Sequence, residues 1–126
     1  MSRPVHAPHR TVVLVVEDEP LLRMHAVGIL EDADFEVLDA PNADVAIAIL
    51  EARADITVVF TDIEMPGSMD GLKLASAIRG RWPPIELIVT SGRYSIDETD
   101  LPERGRFIGK PYSEQSVVAA IRQFQL

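Results

Sequence analysis

The chain of 126 residues is 47% hydrophobic and 25% charged, and its twelve basic and twenty acidic residues give a formal charge of −8. This composition predicts a globular protein, and the acidic balance argues against nucleic-acid binding, which requires a basic surface. The absence of cysteine excludes disulfides and thiolate metal ligands, and no apolar run approaches the roughly 20 residues of a membrane span.

The first ten residues include basic side chains but lack the apolar segment of a secretory signal. We therefore expect a flexible N-terminal segment over residues 1–10, one folded domain over residues 11–126, and a cytoplasmic protein. No internal repeat, low-complexity tract or linker divides the remaining sequence, which favours a single domain.

Strand-like and helix-like patterns alternate along the chain. Five apolar or β-branched runs predict strands, at residues 11–16, 35–40, 56–62, 84–90 and 106–109. Helical patterns cover residues 20–32, the stretch after a cap at Asn42, residues 72–79, and the stretch after a cap at Ser113. We expect the first helix to bury a broad apolar stripe that includes Leu21, Leu22 and Met24.

This alternation predicts an α/β fold, a doubly wound five-stranded parallel sheet with helices on both faces. Between the fourth and fifth strands, Pro102 and Gly105 leave room for only a short or irregular fourth helix. In such a sheet the functional site lies at the carboxyl ends of the strands, so the residues that follow each strand are the candidates.

Charged or hydroxyl side chains follow four of the five predicted strands. They are Glu17, Asp18 and Glu19 after the first, Asp62 at the end of the third, Thr90 and Ser91 at the fourth, and Lys110 after the fifth. Clustered carboxylates repel one another, and Mg²⁺ relieves that repulsion while still accepting a phosphate oxygen as a ligand. A lysine and a hydroxyl are groups that bind the other phosphoryl oxygens. Each acidic residue alone could instead be a solvated helix cap, but their shared position favours a site.

The loop after the first strand differs from the loops of nucleotide-binding folds. Those folds place glycines there so that backbone N–H groups face a phosphate, whereas this loop reads "EDEP" and carries three negative charges. The sequence therefore disfavours binding of dinucleotides, flavins and ATP.

Four motifs in this order resemble the receiver domain of two-component response regulators: "VVEDEP", "TDIEMPGSMDG", "IVTSG" and "FIGKPY". The resemblance covers residues 11–125, and it implies the flavodoxin-like receiver fold in a single-domain, chemotaxis-regulator-like protein. It also implies an aspartyl phosphate formed with a histidine kinase or a histidine phosphotransfer protein as the donor, and dependence on Mg²⁺ or Mn²⁺.

The resemblance implies a role for each matching residue. Asp62 matches the phosphoacceptor. Glu17 and Asp18 match the acidic pair that holds the metal, together with Asp62 and the backbone carbonyl of Glu64. Thr90 and Lys110 match the residues that contact the phosphoryl group, and Phe107 matches an aromatic switch. Thr90 is thereby implied to act as a switch residue as well. Glu64, two residues after the acceptor, is a candidate for tuning hydrolysis of the acyl phosphate, with a surface salt bridge as the alternative.

Two positions depart from the family pattern. The motif "MPGSMDG" is one residue longer than its common form, which predicts a longer loop beside Asp62. Phe107 replaces the commoner tyrosine and lacks a hydroxyl, so plain packing at the sheet edge is an alternative to a switch role. Pro66 and Gly71 are interpreted as structural, because they shape this loop and the start of the next helix.

The chain ends with the last predicted helix, so we expect a stand-alone regulator, a monomer or weak dimer whose output is binding to a target protein. We expect no enzyme activity beyond its own phosphorylation and dephosphorylation, and no nucleic-acid or membrane partner. A receiver-like interaction module or a phosphate sink is the main alternative. A haloacid-dehalogenase-like phosphatase is a weaker one, because it requires a second aspartate where Glu64 stands and a longer chain.

Overall fold

The computed structural model describes residues 11–65, 67 and 69–124. The strands in this part of the chain are β1 (Val12–Val16), β2 (Glu36–Ala40), β3 (Ile56–Asp62), β4 (Glu86–Ser91) and β5 (Gly105–Gly109). The α-helices are α1 (Pro20–Asp32), α2 (Ala43–Ala52), α3 (Gly71–Arg81) and α4 (Glu114–Gln123). The predicted N-terminal segment 1–10, and Pro66 in the predicted longer loop, lie outside the described residues.

All strand pairs are parallel, and the sheet order is β2-β1-β3-β4-β5. One face of the sheet packs against α2 and α3, and the other packs against α1 and α4, with a separate apolar cluster on each face. Both faces of the sheet are thus covered, which is why β1 is buried along its whole length. The predicted doubly wound fold is confirmed.

Capping side chains define where three of the helices begin. Asn42 accepts a hydrogen bond from the backbone N–H of Val45, and Ser113 accepts one from the N–H of Ser116, so both predicted caps are present. Asp70 caps α3 in the same way. Gly71 follows it, and a Cβ atom at this position would lie 2.0 Å from the backbone oxygen of Asp62. Glycine therefore lets α3 begin directly against the end of β3.

The segment between β4 and β5 contains a single 3₁₀ turn, Glu98–Asp100, in place of a full helix. Leu101, which precedes Pro102, has an extended backbone, as expected for a residue before proline. The Glu98 carboxylate accepts a hydrogen bond of 3.0 Å from the N–H of Phe107 on β5. The predicted short and irregular fourth helix is confirmed.

The predicted burial of the first helix is wrong for its N-terminal half. Leu21 and Met24 are 72% and 69% exposed, and the buried residues are Ala26, Ile29 and Leu30. At 3.6 residues per turn, Leu21 and Met24 lie on the face opposite Ala26, so only the later residues meet the sheet. In the described part of the chain, no helix combines the length and the apolar character that crossing a membrane requires.

Candidate functional site

A buried ion pair lies at the carboxyl edge of the sheet. Asp62, the last residue of β3, is 4% exposed, and its Oδ2 lies 2.8 Å from Nζ of Lys110, which follows β5. The same ammonium group lies 3.3 Å from Oε1 of Glu17, which follows β1 and is 6% exposed. The parallel sheet thus brings Lys110 to Asp62, 48 residues away along the chain, and to Glu17, 93 residues away.

The carboxylates at this edge outnumber the nearby ammonium group. One carboxylate oxygen each from Glu17, Asp18 and Asp62 lies within 4.8 Å of the others. Burial raises the pKa of Glu17, against the hydrogen bond from the N–H of Glu19, and the charge of Asp62 raises it further. Burial by itself lowers the pKa of Lys110, but the hydrogen bond and charge of Asp62 raise it overall, so Lys110 is an ammonium ion. These hard oxygen donors and their excess negative charge fit Mg²⁺.

Thr90 lies beside Asp62 in the sheet, since the two residues are register partners on β4 and β3. Thr90, Asp62 and Glu17 line one small cavity together with the ring of Tyr112. Among the described residues, the buried Thr90 hydroxyl oxygen has no hydrogen-bond partner. Buried hydroxyls are usually paired, so this one is available to a partner that the described residues do not supply.

Glu64 and Phe107 lie at the border of the site. The N–H of Glu64 donates a hydrogen bond of 3.3 Å to Oδ1 of Asp62, while its side-chain Oε1 accepts one of 3.3 Å from the N–H of Gly92. Glu64 thus connects Asp62 with the loop after β4. The Phe107 ring is half-buried against the apolar cluster under α2 and α3, and its switch role stays a prediction.

Arg23 and Asp39 belong to the surroundings of the site and were not predicted. Arg23, in the first turns of α1, donates hydrogen bonds to the backbone oxygen of Glu17 and to the carboxylate of Asp39 on β2. The available signal was the position of Asp39 near the end of the second strand, because β2 is the neighbour of β1. Tyr112 was also missed. Its ring packs edge-on against Phe60, with centroids 5.4 Å apart.

The five-stranded parallel sheet, the strand order and the acidic edge with one lysine define a flavodoxin-like fold of the receiver class. The sequence model of the response regulator receiver domain matches residues 13–122, which is most of the chain. The chain therefore belongs to the response regulator receiver domain family of two-component systems.

Relatives of known name are longer proteins that contain a similar segment. The nitrogen assimilation regulatory protein NtrX of Azorhizobium caulinodans is 34% identical over 110 residues, which cover 84% of this chain and 24% of that protein. The sensor kinase CckA of Brucella abortus is 32% identical over 116 residues, covering 88% of this chain and 12% of that protein. This chain therefore spans a quarter or less of the length of these two relatives.

Two solved receiver structures illustrate the similarity of fold. A response regulator receiver protein from Sinorhizobium medicae has a TM-score of 0.82 at 26% identity, with 91% of this chain and 94% of that chain covered. The response regulator TrrA of Thermotoga maritima, solved in complex with Mg²⁺ and BeF, has a TM-score of 0.80 at 26% identity, with 90% and 98% covered.

Proposed function

We propose that this receiver accepts a phosphoryl group on Asp62 from a histidine kinase or a histidine phosphotransfer protein, and that phosphorylation changes its binding to a target protein. The observation that carries the proposal is the buried Asp62 carboxylate, paired with Lys110 at 2.8 Å and clustered with Glu17 and Asp18. Burying a carboxylate beside other carboxylates lowers the stability of the fold. A role of Asp62 as a nucleophile explains why the carboxylate is buried there.

The transfer is a displacement at phosphorus. A carboxylate oxygen of Asp62 forms the new O–P bond, the P–N bond to the donor imidazole breaks, and the electron pair of that bond leaves with the imidazole. Lys110 binds an oxygen of the transferring group and stays protonated throughout, because its charge is what compensates the added negative charge. The product is an acyl phosphate on Asp62.

Glu17, Asp18, Asp62 and the backbone carbonyl of Glu64 are the proposed ligands of Mg²⁺ or Mn²⁺. When bound, the ion offsets negative charge on the phosphoryl oxygens. The comparison with TrrA supports this assignment, because that receiver was solved with Mg²⁺ and BeF.

Thr90 and Phe107 are the proposed switch residues. The unpaired Thr90 hydroxyl donates a hydrogen bond to the phosphoryl group, which draws the end of β4 and the following loop toward Asp62. The Phe107 ring then repacks at the sheet edge. A shift of the two conformations from 1:99 to 99:1 requires a differential of about 5.5 kcal/mol between them.

Glu64 is the proposed residue that tunes hydrolysis of the acyl phosphate. Its backbone N–H contacts Asp62 and its carboxylate contacts Gly92, so its side chain stands beside the phosphoryl position. The carboxylate is placed to orient or exclude an attacking water. We further propose that the receiver turns over no external substrate.

The stand-alone state, the monomer or weak dimer and the cytoplasmic location stay predictions. Similar receivers occur as parts of longer regulators and of a sensor kinase, and in either setting the output of this domain is a change in protein binding. A phosphate sink without a target protein is the alternative output.

Intact-mass measurement after treatment with acetyl phosphate tests the proposal. The chain is expected to gain one phosphoryl group in the presence of Mg²⁺ and none in the presence of a chelator. Asp62→Asn is expected to abolish the gain, and Asp55→Asn, at an exposed carboxylate paired with Arg53, is the matched control that retains it. An unlabelled wild-type chain would favour the interaction module, and continuous turnover of a small phosphoester would favour a phosphatase.

A further inference from the structure

Arg23 contacts the backbone of the acidic loop that follows β1, and it has no part in the proposed chemistry. Its Nη1 donates a hydrogen bond of 2.9 Å to the backbone oxygen of Glu17, and its Nε donates one of 3.0 Å to Oδ2 of Asp39. The Arg23 side chain is only 22% exposed, although its partner Asp39 is 49% exposed. A guanidinium group that binds a backbone oxygen while carboxylates lie nearby is placed to hold the backbone.

The loop that Arg23 contacts carries three consecutive acidic residues, Glu17, Asp18 and Glu19. Two hydrogen bonds shape its start, from the N–H of Glu17 to the backbone oxygen of Ala40, and from the N–H of Glu19 to Oε2 of Glu17. Repulsion among the carboxylates works against this arrangement. The loop therefore needs a restraint that does not neutralise the carboxylates that bind the metal.

Arg23 connects three elements at this point. It belongs to α1, it binds the residue after β1, and its second partner lies on β2, whose Asp39 is the register partner of Val15. Lysine could not make both contacts, because one ammonium group lacks the separated donors of the guanidinium fork.

We infer that Arg23 is a positioning residue for the metal site: it fixes the loop of Glu17 and Asp18 so that their carboxylates meet Asp62. The inference rests on the proposed metal site. The inference predicts that removal of Arg23 weakens metal binding. A simple charge effect predicts the opposite, since removing a positive charge near a cation site strengthens cation binding. The inferred role also differs from an ordinary surface salt bridge, whose removal leaves the metal site unchanged.

Binding of Mn²⁺ to the metal-free full chain, followed by the paramagnetic resonance signal of free Mn²⁺, provides the test without any phosphodonor. Arg23→Ala is expected to weaken Mn²⁺ binding about tenfold, the lower end of the range for residues that orient metal ligands. Arg23→Lys keeps the charge and is also expected to weaken binding. Arg53→Ala removes another arginine with two carboxylate partners, and as the matched control it should bind Mn²⁺ like the wild type.

Asp39→Ala breaks one of the two contacts and is expected to weaken Mn²⁺ binding about threefold. In the Arg23→Ala background the same change is expected to have no effect, because Asp39 acts through Arg23. A purely electrostatic role of Asp39 predicts the same loss in both backgrounds and would overturn the inference.

Circular dichroism and metal-free thermal unfolding identify any variant that has lost its fold, and Arg23→Lys serves if Arg23→Ala does not fold. Unchanged or tighter Mn²⁺ binding by a folded Arg23 variant overturns the inference and leaves the proposed site intact. A wild-type chain that binds no Mn²⁺ refutes the proposed metal site itself, and the two failures are therefore distinguishable.

Discussion

The carboxyl edge of the sheet and the segment 92–104 use charged side chains in opposite ways. At the carboxyl edge, charged side chains face one another: the partly buried Lys110 lies against the buried Asp62 and Glu17, and the more exposed Asp18 adds to the excess of negative charge. The arrangement leaves an excess of negative charge that a bound cation can compensate. Part of the stability of this edge therefore depends on what binds there.

In the segment 92–104, which joins β4 to β5, charged side chains face backbone groups. The Glu98 carboxylate accepts the N–H of Phe107, and Arg79 of α3 donates to the backbone oxygen of Glu103 at 2.7 Å. These contacts replace the hydrogen bonds that a full helix would make within itself. Glu98 and Glu103 are thus held by β5 and α3, and we expect the stability that these contacts give the unphosphorylated chain to be independent of Mg²⁺.

The largest expected effect comes from Lys110→Met, which leaves two buried carboxylates without their ammonium partner. We expect the metal-free variant to lose about 3 kcal/mol in the free energy of unfolding, measured by urea denaturation. Mg²⁺ is expected to restore part of the loss, because the ion compensates the same charges.

Asp62→Asn is the control for Lys110→Met. It removes one carboxylate from the excess and leaves Lys110 paired with Glu17, so the expected change is below about 1 kcal/mol. If Asp62→Asn were the more destabilising of the two, the cluster would not carry the excess of negative charge described above.

Arg79→Ala tests the other region and ranks second. Arg79 also donates to the backbone oxygens of Pro83 and Ile85, and of its three partners only Ile85 is a buried residue. Losing this set of charged hydrogen bonds predicts a loss of about 2 kcal/mol. Urea denaturation with and without Mg²⁺ measures it, and the loss should be the same in both. Arg81→Ala, which removes an exposed pair with Glu51 and a cation–π contact with the Trp82 ring, is the control with the smaller expected change. A loss that Mg²⁺ reverses would contradict the separation of the two regions.

The same contrast explains what the sequence could predict. The meeting of Asp62, Glu17 and Lys110 at one edge was predictable because each ends or follows an apolar run, and a parallel sheet brings such ends to one edge. The contacts of Arg79, and the contact of Arg23 with Glu17, could not be predicted, because these partners are backbone oxygens. Those positions follow from the path of a loop, and no residue type marks them.

Exposure on α1 shows a second limit of the sequence. Leu21, Leu22 and Met24 are apolar but at least 43% exposed, so composition suggested a wider buried face than the helix presents to the sheet. The 3.6-residue spacing separates the buried face of α1 from its exposed face, whereas counting apolar residues does not distinguish the two. By contrast, the irregular segment before β5 was predictable because Pro102 restricts the residue before it.

Glu98→Ala is expected to have a smaller effect, about 1 kcal/mol or less, because it removes one exposed hydrogen bond. Amide hydrogen exchange at Phe107 measures it directly, and exchange there should accelerate while exchange in β1 stays unchanged. Glu98→Gln keeps an acceptor oxygen and should preserve most of the protection. Equal acceleration in both variants would show that charge, and not the hydrogen bond, holds the segment against β5.

The smallest expected effect is the pH dependence that Glu17 gives to the metal-free protein. Burial and the charge of Asp62 raise its folded-state pKa above the ordinary 4.5, so between these two values the folded chain binds more protons than the unfolded chain. The stabilising contribution of Glu17 is therefore complete below pH 4.5 and is lost as pH rises through the folded-state pKa. Glu17→Gln removes this contribution, so its free energy of unfolding minus that of the wild type should increase over the same interval. Saturating Mg²⁺ should abolish or reverse the increase, because the ion stabilises the ionised carboxylate of the wild type. A difference in the free energy of unfolding that depends on neither pH nor Mg²⁺ would show that Glu17 does not belong to the acidic cluster of the carboxyl edge.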